Sequence, residues 1–179
     1  MSSCSASSKP MRNMKVHVEI QFATDEECAL SSGDIVSWIQ RSLELANVTV
    51  NREGKSEVSV RVVGAEEMQA LNNEFRDKDW PTNILSFPAG AIQGLPADSD
   101  MPLGDLVICA SVVNEEAGQQ GKSKHDHWGH IIVHGSLHLL GFDHSQDEEA
   151  AVMEGLEIEI LSAYGITNPY VDSVRESPV

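Results

Sequence analysis

The sequence predicts an α+β fold, in which a small mixed sheet of about four strands packs with about five helices. Two segments, 14–22 and 56–63, alternate strictly between apolar and polar residues, which is typical of half-buried strands. The chain has 179 residues, of which 41% are hydrophobic, so it is long and apolar enough for a packed core. We therefore expect a single domain over residues 14–170, between a disordered N-terminal tail at 1–13 and a loose C-terminal tail at 171–179.

The remaining strands and the helices follow from shorter patterns along the chain. Compact apolar runs predict strands at 83–87 and 105–110, and the Pro-, Gly- and Asp-rich residues 88–103 between them predict a long surface loop. Apolar residues at helical spacing predict five helices, at about 31–43, 65–75, 111–120, 124–140 and 145–161.

Individual side chains are expected at particular places in these helices. Residues 31–34 supply capping groups for the first helix. Ser145, followed three residues later by Glu148, predicts a capping box at the start of the last helix. The second helix has an apolar stripe formed by Met68, Leu71 and Phe75.

The charge of the chain bears on the partners that it can bind. With 12 basic and 28 acidic residues its formal net charge is −16, which argues against a broad electrostatic grip on nucleic acid. A local basic cleft is still compatible with this charge. Five basic residues lie in the middle of the chain, namely Arg61, Arg76, Lys78, Lys122 and Lys124.

Cysteine usage and hydropathy indicate the cellular compartment. The three cysteines are odd in number and scattered, which fits a reducing compartment and no disulfide framework. No apolar run approaches the roughly 18 residues that a membrane span needs, and the Ser-rich N-terminus lacks the apolar segment of a secretory signal. We expect a cytoplasmic protein that has no membrane partner.

The segment 134–144, His-Gly-Ser-Leu-His-Leu-Leu-Gly-Phe-Asp-His, is the most informative part of the sequence. His134 and His138 are four residues apart, so on a helix they share one face and can aim at one point. Gly141 favours a left-handed turn that ends the helix and brings His144 back toward that face. Three imidazoles on one ion, with a fourth position open, are typical of a catalytic zinc site. The sequence therefore predicts one zinc ion per chain.

The other histidines fit such a site less well. His130 and His138 would lie about 12 Å apart along a helix axis, so one ion cannot bind both. We expect His130 to have a structural role or none, with a contact to a ligand imidazole as the alternative. His125 and His127, near the start of the helix, are expected to face solvent, as is His17 on the polar face of the first strand.

The histidine spacing also matches H-x-x-x-H-x-x-G-x-x-H, the outline of the metzincin peptidases, with one departure. Those enzymes carry Glu directly after the first histidine, where it acts as general base for the attacking water. Here that position is Gly135, which has no side chain. The residues alone therefore favour a metal site whose chemistry differs from that of an ordinary zinc peptidase.

Together with three further segments, this stretch resembles the YbeY endoribonucleases of bacteria. The segments are 71–76 (Leu-Asn-Asn-Glu-Phe-Arg), 79–88 (Asp-Trp-Pro-Thr-Asn-Ile-Leu-Ser-Phe-Pro) and 103–109 (Leu-Gly-Asp-Leu-Val-Ile-Cys). They occur in the family's order and spacing, and the likeness extends from about residue 16 to about residue 170. Phe142 is a mild departure, since many members have Tyr at that position.

The resemblance implies a metal-dependent, single-strand-specific endoribonuclease that acts in rRNA maturation, especially at the 3′ end of small-subunit rRNA, and in ribosome quality control. It implies as partners single-stranded RNA and rRNA, the small ribosomal subunit and ribosome-associated proteins. The family's metal ligands correspond to His134, His138 and His144, and its functionally important arginine corresponds to Arg76. Without the resemblance, Arg76 would be interpreted as a favourable charge at the end of a helix.

Two alternatives stay open on the sequence. One is a ribosome-assembly factor with a structural zinc, since an acidic surface suits protein partners better than naked RNA. The other is a metallopeptidase, which only the histidine spacing supports. Asp143 either orients a ligand imidazole or caps the turn, and Lys78 either contacts RNA or is solvated. The physiological metal, the nucleophile (water or the 2′-hydroxyl), the RNA sequence preference and the oligomeric state are also open.

Overall fold

The computed structural model describes residues 16–46, 56–90 and 101–171. The tail predicted at 1–13 and the start of the first predicted strand lie outside these ranges, as do residues 172–179 of the predicted C-terminal tail. Within the described ranges the chain forms four strands and five helices, which confirms the α+β fold class. None of these helices is long and apolar enough to cross a membrane.

One mixed sheet contains all the strands of the described residues. They are β1 (Val16–Phe22), β2 (Ser56–Val63), β3 (Ile84–Pro88) and β4 (Met101–Cys109). Their spatial order is β1-β2-β4-β3. The β1–β2 and β2–β4 pairs are parallel and the β3–β4 pair is antiparallel, so β1 and β3 are the two edges of the sheet.

The five helices of the described ranges pack on this sheet or on one another. They are α1 (Ser32–Leu45), α2 (Ala65–Arg76), α3 (Ala110–Gln119), α4 (Lys124–Leu139) and α5 (Asp147–Ser162). The capping residues predicted for the first helix are confirmed, because Ser31 Oγ accepts the Asp34 amide at 3.2 Å and Asp34 accepts the Ser31 amide at 2.9 Å. This reciprocal pair satisfies amide groups that the first turn of a helix leaves free.

Helix α4 lies at the centre of the fold. Ten of its 16 residues are buried, and it packs on α1, α3 and α5 as well as on β3 and β4. A helix with partners on nearly all sides needs apolar or small residues around most of its circumference. The segment 127–139 supplies them and carries the first two histidines of the predicted metal site on the same element.

Two glycines allow α4 to lie close to its neighbours. A Cβ at Gly129 would come within 2.9 Å of the Trp38 ring on α1. A Cβ at Gly135 would lie 2.4 Å from Cδ1 of Ile84 on β3 and 3.0 Å from Cδ2 of Leu106 on β4. The position where a metzincin carries its general base is therefore occupied by the contact between helix and sheet.

The strand predicted at 105–110 is longer in the structure, because β4 begins at Met101. The sequence Met-Pro-Leu-Gly at its start has the composition of a loop. It is accommodated by a shift in the pairing with β2 between Glu57 and Val58. Gly104 adopts φ +136°, and a Cβ there would lie 2.1 Å from the carbonyl oxygen of Phe87. A glycine at this irregularity thus keeps the strand in the sheet.

The capping box predicted at Ser145 is wrong. Helix α5 begins at Asp147, and its N-cap residue Gln146 makes no side-chain capping bond. The hydroxyl of Ser145 instead donates to the Asp143 carboxylate. Ser145 is therefore part of the turn that follows α4, and this local contact competes with capping of the next helix.

The predicted stripe of α2 is buried only in part. Met68 is fully buried, whereas Phe75 is 54% exposed. Phe75 lies near the end of the helix and meets the ring of Phe87, with 5.1 Å between the ring centroids. Because Phe87 lies on β3, an edge strand, the stripe reaches the edge of the sheet and its last member stays partly in water.

His127 was expected to face solvent, and this prediction is wrong, since its side chain is only 3% exposed. Its Nε2 lies 2.9 Å from a carboxylate oxygen of Glu116 on α3. The two oxygens of the same carboxylate also accept hydrogen bonds from the side-chain amide of Asn83, at 3.1 and 3.2 Å. The partner that permits burial of His127 comes from another helix, which helical spacing alone does not reveal.

We expect Gly135→Ala to lower the free energy of unfolding by about 1–3 kcal/mol, because the new Cβ would overlap Ile84 and press on buried Leu106. Gly155→Ala on α5 is the matched control, since nothing lies within 4 Å of its Cβ. There the higher helix propensity of Ala should raise the free energy of unfolding by about 0.5–1 kcal/mol. Chemical denaturation measures both shifts, and shifts of the same sign and size would contradict the close packing at Gly135.

Candidate metal centre

The end of α4 brings the three histidines of the 134–144 segment together. Gly141 has φ +90° and follows the C-cap residue Leu140. Its amide donates to the His138 carbonyl at 3.0 Å, and the next amide, of Phe142, donates to the Leu137 carbonyl at 3.1 Å. These two bonds form a Schellman motif, which reverses the chain at the helix end as predicted.

The candidate ligand atoms of His134, His138 and His144 all lie within 4.8 Å of one another. The Nε2 atoms of His134 and His138 are 3.1 Å apart. Two nitrogens at about 2.0–2.1 Å from one tetrahedral zinc ion would be about 3.3 Å apart, so this separation fits a shared ion. The three histidines can thus hold a metal ion, and an all-imidazole donor set suits zinc among several transition ions.

A buried carboxylate fixes the first of these imidazoles. Glu157 of α5 is fully buried, and its Oε1 lies 2.7 Å from Nδ1 of His134. Because Nδ1 contacts Glu157, Nε2 is the nitrogen of His134 that is left to bind a metal ion, and it faces the other two imidazoles. The hydroxyl of Tyr170 donates to the second carboxylate oxygen of Glu157.

The pKa values of two groups at the site favour an ionised Glu157 carboxylate and a neutral His138 imidazole. Burial raises the pKa of Glu157, but hydrogen bonds from His134 and Tyr170 outweigh it, so the pKa is lowered overall. Burial, together with His134 and His144, lowers the pKa of His138. A neutral imidazole is the form that binds a metal ion, so the lowered pKa of His138 favours metal binding.

His130 lies one turn before His134 on α4 and is not a member of the convergent set. Its Nε2 is 3.9 Å from the Glu157 carboxylate. Burial lowers the pKa of His130 to about 4, so it is neutral near pH 7. Its place beside Glu157 agrees with the expectation that it is not a ligand.

A cavity of about 630 Å³ opens onto the histidines. Its lining also includes Arg76, the last residue of α2, and Lys78 and Trp80 of the segment that follows it. Among the described residues, Asp143 is the one acidic side chain in this lining, and it accepts hydrogen bonds from the His144 amide at 2.8 Å and from the Ser145 hydroxyl. Asp143 thus caps the turn. The cavity is locally basic, although the chain as a whole is strongly acidic.

Comparison with known proteins identifies the family of the chain. Residues 18–165 match the family described as Endoribonuclease YbeY. The chain is 41% identical to the Endoribonuclease YbeY of Francisella tularensis subsp. tularensis (strain SCHU S4) over 170 residues, which are 93% of this chain and 98% of that relative. It is 42% identical to the Endoribonuclease YbeY of Alcanivorax borkumensis over 161 residues, 89% of each chain. The chain belongs to the YbeY endoribonuclease family. The resemblance inferred from the sequence is confirmed.

A solved structure agrees with the fold of this YbeY family member. The solution structure of a Thermotoga maritima protein covers 90% of this chain and 100% of its own, with a TM-score of 0.51 and 22% sequence identity. At that identity the likeness bears on the fold alone. It supports the arrangement of one mixed sheet with helices packed on it.

The sequence alone did not indicate a role for two side chains at the candidate metal centre and its cavity, Glu157 and Trp80. A signal for Glu157 was present, since it falls among the buried positions of α5 together with Met153, Ile160 and Leu161. A charged residue on a buried helix face needs a partner, and here the partner is a metal-ligand candidate. Trp80 gave no comparable signal, because spacing does not show that its ring is exposed beside the cavity.

We expect Glu157→Gln to weaken zinc binding by about 10- to 100-fold, because an amide oxygen is a weaker acceptor than a carboxylate for the Nδ1 proton of His134. Competition with a chromophoric chelator measures the affinity. Glu159→Gln is the matched control, since Glu159 is exposed on the same helix. If both variants bound zinc as tightly as the wild type, Glu157 would not be orienting His134.

Proposed function

We propose that the chain is a zinc-dependent endoribonuclease that cleaves single-stranded RNA. In this proposal His134, His138 and His144 hold the ion, and Arg76 acts on the scissile phosphate. The observation that supports it is the shared cavity, which has three convergent imidazoles and two basic side chains, Arg76 and Lys78, in its lining. Membership of the YbeY endoribonuclease family supports RNA as the substrate class.

The chemistry of each group suits phosphodiester cleavage. A zinc ion, when bound, polarises a phosphoryl oxygen and lowers the pKa of water. The planar guanidinium of Arg76 can donate two parallel N–H bonds to phosphate oxygens, which stabilises the extra negative charge of the pentavalent transition state. Lys78 adds a point charge that attracts the RNA backbone. Within the described residues, these two side chains are the Lys and Arg members of the cavity lining.

Peptide hydrolysis by the metzincin route is disfavoured at the same site. The carboxylate base of those enzymes would extend from position 135, where even a Cβ meets Ile84 at 2.4 Å. The lining carboxylate, Asp143, is already bonded to Ser145 and to the His144 amide. An incoming peptide would therefore find no free carboxylate among the described lining residues.

The charge distribution supports a single strand as the substrate. A net charge of −16 repels a long duplex, whose affinity depends on many phosphate contacts along a broad basic surface. A small basic cavity can still contact a few phosphates of one strand. We propose small-subunit rRNA, near its 3′ end, as the main substrate in the cytoplasm. The partners in this proposal are the small ribosomal subunit and ribosome-associated proteins, with a further role in ribosome quality control.

We expect Arg76→Ala to lower kcat/KM on single-stranded RNA by about 10²- to 10³-fold, the usual cost of removing one donor to a developing anion. His134→Ala should abolish cleavage, as should a chelator, and added zinc should restore the chelated wild type. The control is Arg41→Ala, which removes a cation that pairs with Glu44 on α1. Equal cleavage by all the variants would indicate a contaminating nuclease and overturn the proposal.

In cells that carry only the His138→Ala variant, small-subunit rRNA with extended 3′ ends should accumulate. Mapping of rRNA 3′ ends measures this, with Arg41→Ala cells as the control. Normal ends in the His138→Ala cells would mean that metal-dependent cleavage is not needed for maturation. That outcome would favour an assembly factor whose metal is structural.

A further inference from the structure

We propose that the indole ring of Trp80 is a stacking platform for one nucleobase of the bound RNA strand. The inference rests on the proposed function, because it assigns a base-binding subsite to the cavity in which we place the phosphate. It adds a residue that contacts the base, whereas Arg76 and Lys78 act on the charged backbone. Neither the histidine motif nor the family comparison assigns such a role to Trp80.

The exposure of Trp80 sets it apart from the other tryptophans. Trp80 is 57% exposed to solvent, whereas Trp38 is 1% exposed and Trp128 is fully buried. Within the described ranges, no aromatic ring packs on its indole and its Nε1–H has no hydrogen-bond partner. A large aromatic surface thus remains in contact with water beside the metal-binding histidines.

The backbone of Trp80, in contrast, is held firmly. The side-chain amide of Asn72, a buried residue of α2, donates a hydrogen bond to the backbone carbonyl of Trp80 at 2.7 Å. Gln69, one turn earlier on the same helix, donates to the Asp79 carbonyl and side chain at 3.2 and 3.0 Å. Pro81 follows and restricts the chain further. The backbone that carries the ring is therefore fixed before any ligand arrives, which reduces the entropy lost on binding.

The surrounding charges identify the occupant as a nucleobase. Arg76 and Lys78 precede Trp80 closely in the chain and line the same cavity, so a ligand on the indole also meets two cations. A polyanion with aromatic bases satisfies both features at once. Such combinations of basic groups and stacking rings are typical of proteins that bind single-stranded nucleic acid. An apolar peptide would use the indole but would leave both cations without a partner.

Stacking on Trp80 would also explain a preference for single strands. A base can lie on a protein ring only when it is not paired and stacked inside a duplex. Because every base has a π-face, the contact adds affinity with little dependence on sequence. The subsite therefore selects for unpaired RNA without reading a particular base.

The test measures binding separately from cleavage, using the full-length protein with its bound metal. A short 2′-O-methyl oligonucleotide, checked for integrity after each titration, reports the Kd, and a cleavable RNA of the same sequence reports KM and kcat. Because Trp80 is the exposed tryptophan, wild-type fluorescence should be quenched as the strand binds. Trp80→Ala should raise Kd and KM by about 5- to 150-fold, the factor that corresponds to about 1–3 kcal/mol per stacked base, with kcat little changed.

Two comparisons isolate the stacking contact. Trp80→Phe should retain most of the affinity, whereas Phe22→Ala, which removes a 48% exposed ring from β1, should leave affinity unchanged. A set of oligonucleotides, each with one abasic site at a different position, locates the stacked base. The oligonucleotide that lacks the stacked base should bind the wild type more weakly than the intact strand does. Trp80→Ala should bind that oligonucleotide and the intact strand equally well. Thermal unfolding of each variant shows whether the fold is retained.

The outcomes separate this inference from the proposed function. If the wild type cleaves RNA and Trp80→Ala binds and cleaves equally well, the stacking platform is wrong and the nuclease stands. If the wild type neither binds nor cleaves RNA, the proposed function itself fails. If Trp80→Ala leaves RNA affinity unchanged but shifts the sedimentation of the protein, the ring covers a protein partner or a second copy instead, and the inference is overturned.

Discussion

The burial of α4 is the constraint on which the rest of the structure depends. This helix packs against three other helices and two strands, so its axial position and its rotation are fixed from several sides. Gly129 sets the approach to α1, and Gly135 sets the approach to the sheet. His134 and His138 lie on this helix, so its packing fixes where both residues sit in the fold, and Glu157 contacts Nδ1 of His134.

The cavity joins two parts of the chain that are separated by about sixty residues in sequence. The imidazoles come from the end of α4, and the cations come from the end of α2 and the residues after it. Hydrogen bonds from Gln69 and Asn72 hold that second segment in place. A protein with a net charge of −16 thus keeps a small basic surface where phosphate binding is proposed.

The parts of the structure that depend on local sequence could be predicted. The histidine arrangement needs only the helical repeat and a glycine that turns left-handed, and both are encoded within eleven residues. The burial of His127 and the contact between Glu157 and His134 could not be predicted in this way, because in each case the partner comes from another helix. The start of β4 was missed because pairing with β2 overrides the loop-like composition of Met-Pro-Leu-Gly.

The close contact at Gly135 has a consequence for the evolution of this fold. The histidine spacing is shared with the metzincin peptidases, so a single codon change from Gly135 to Glu would complete their motif on paper. In this protein the new side chain would meet Ile84 and Leu106 at the junction between helix and sheet. A glutamate at position 135 would therefore need compensating changes at Ile84 or Leu106, so more than one substitution separates the two motifs on this fold.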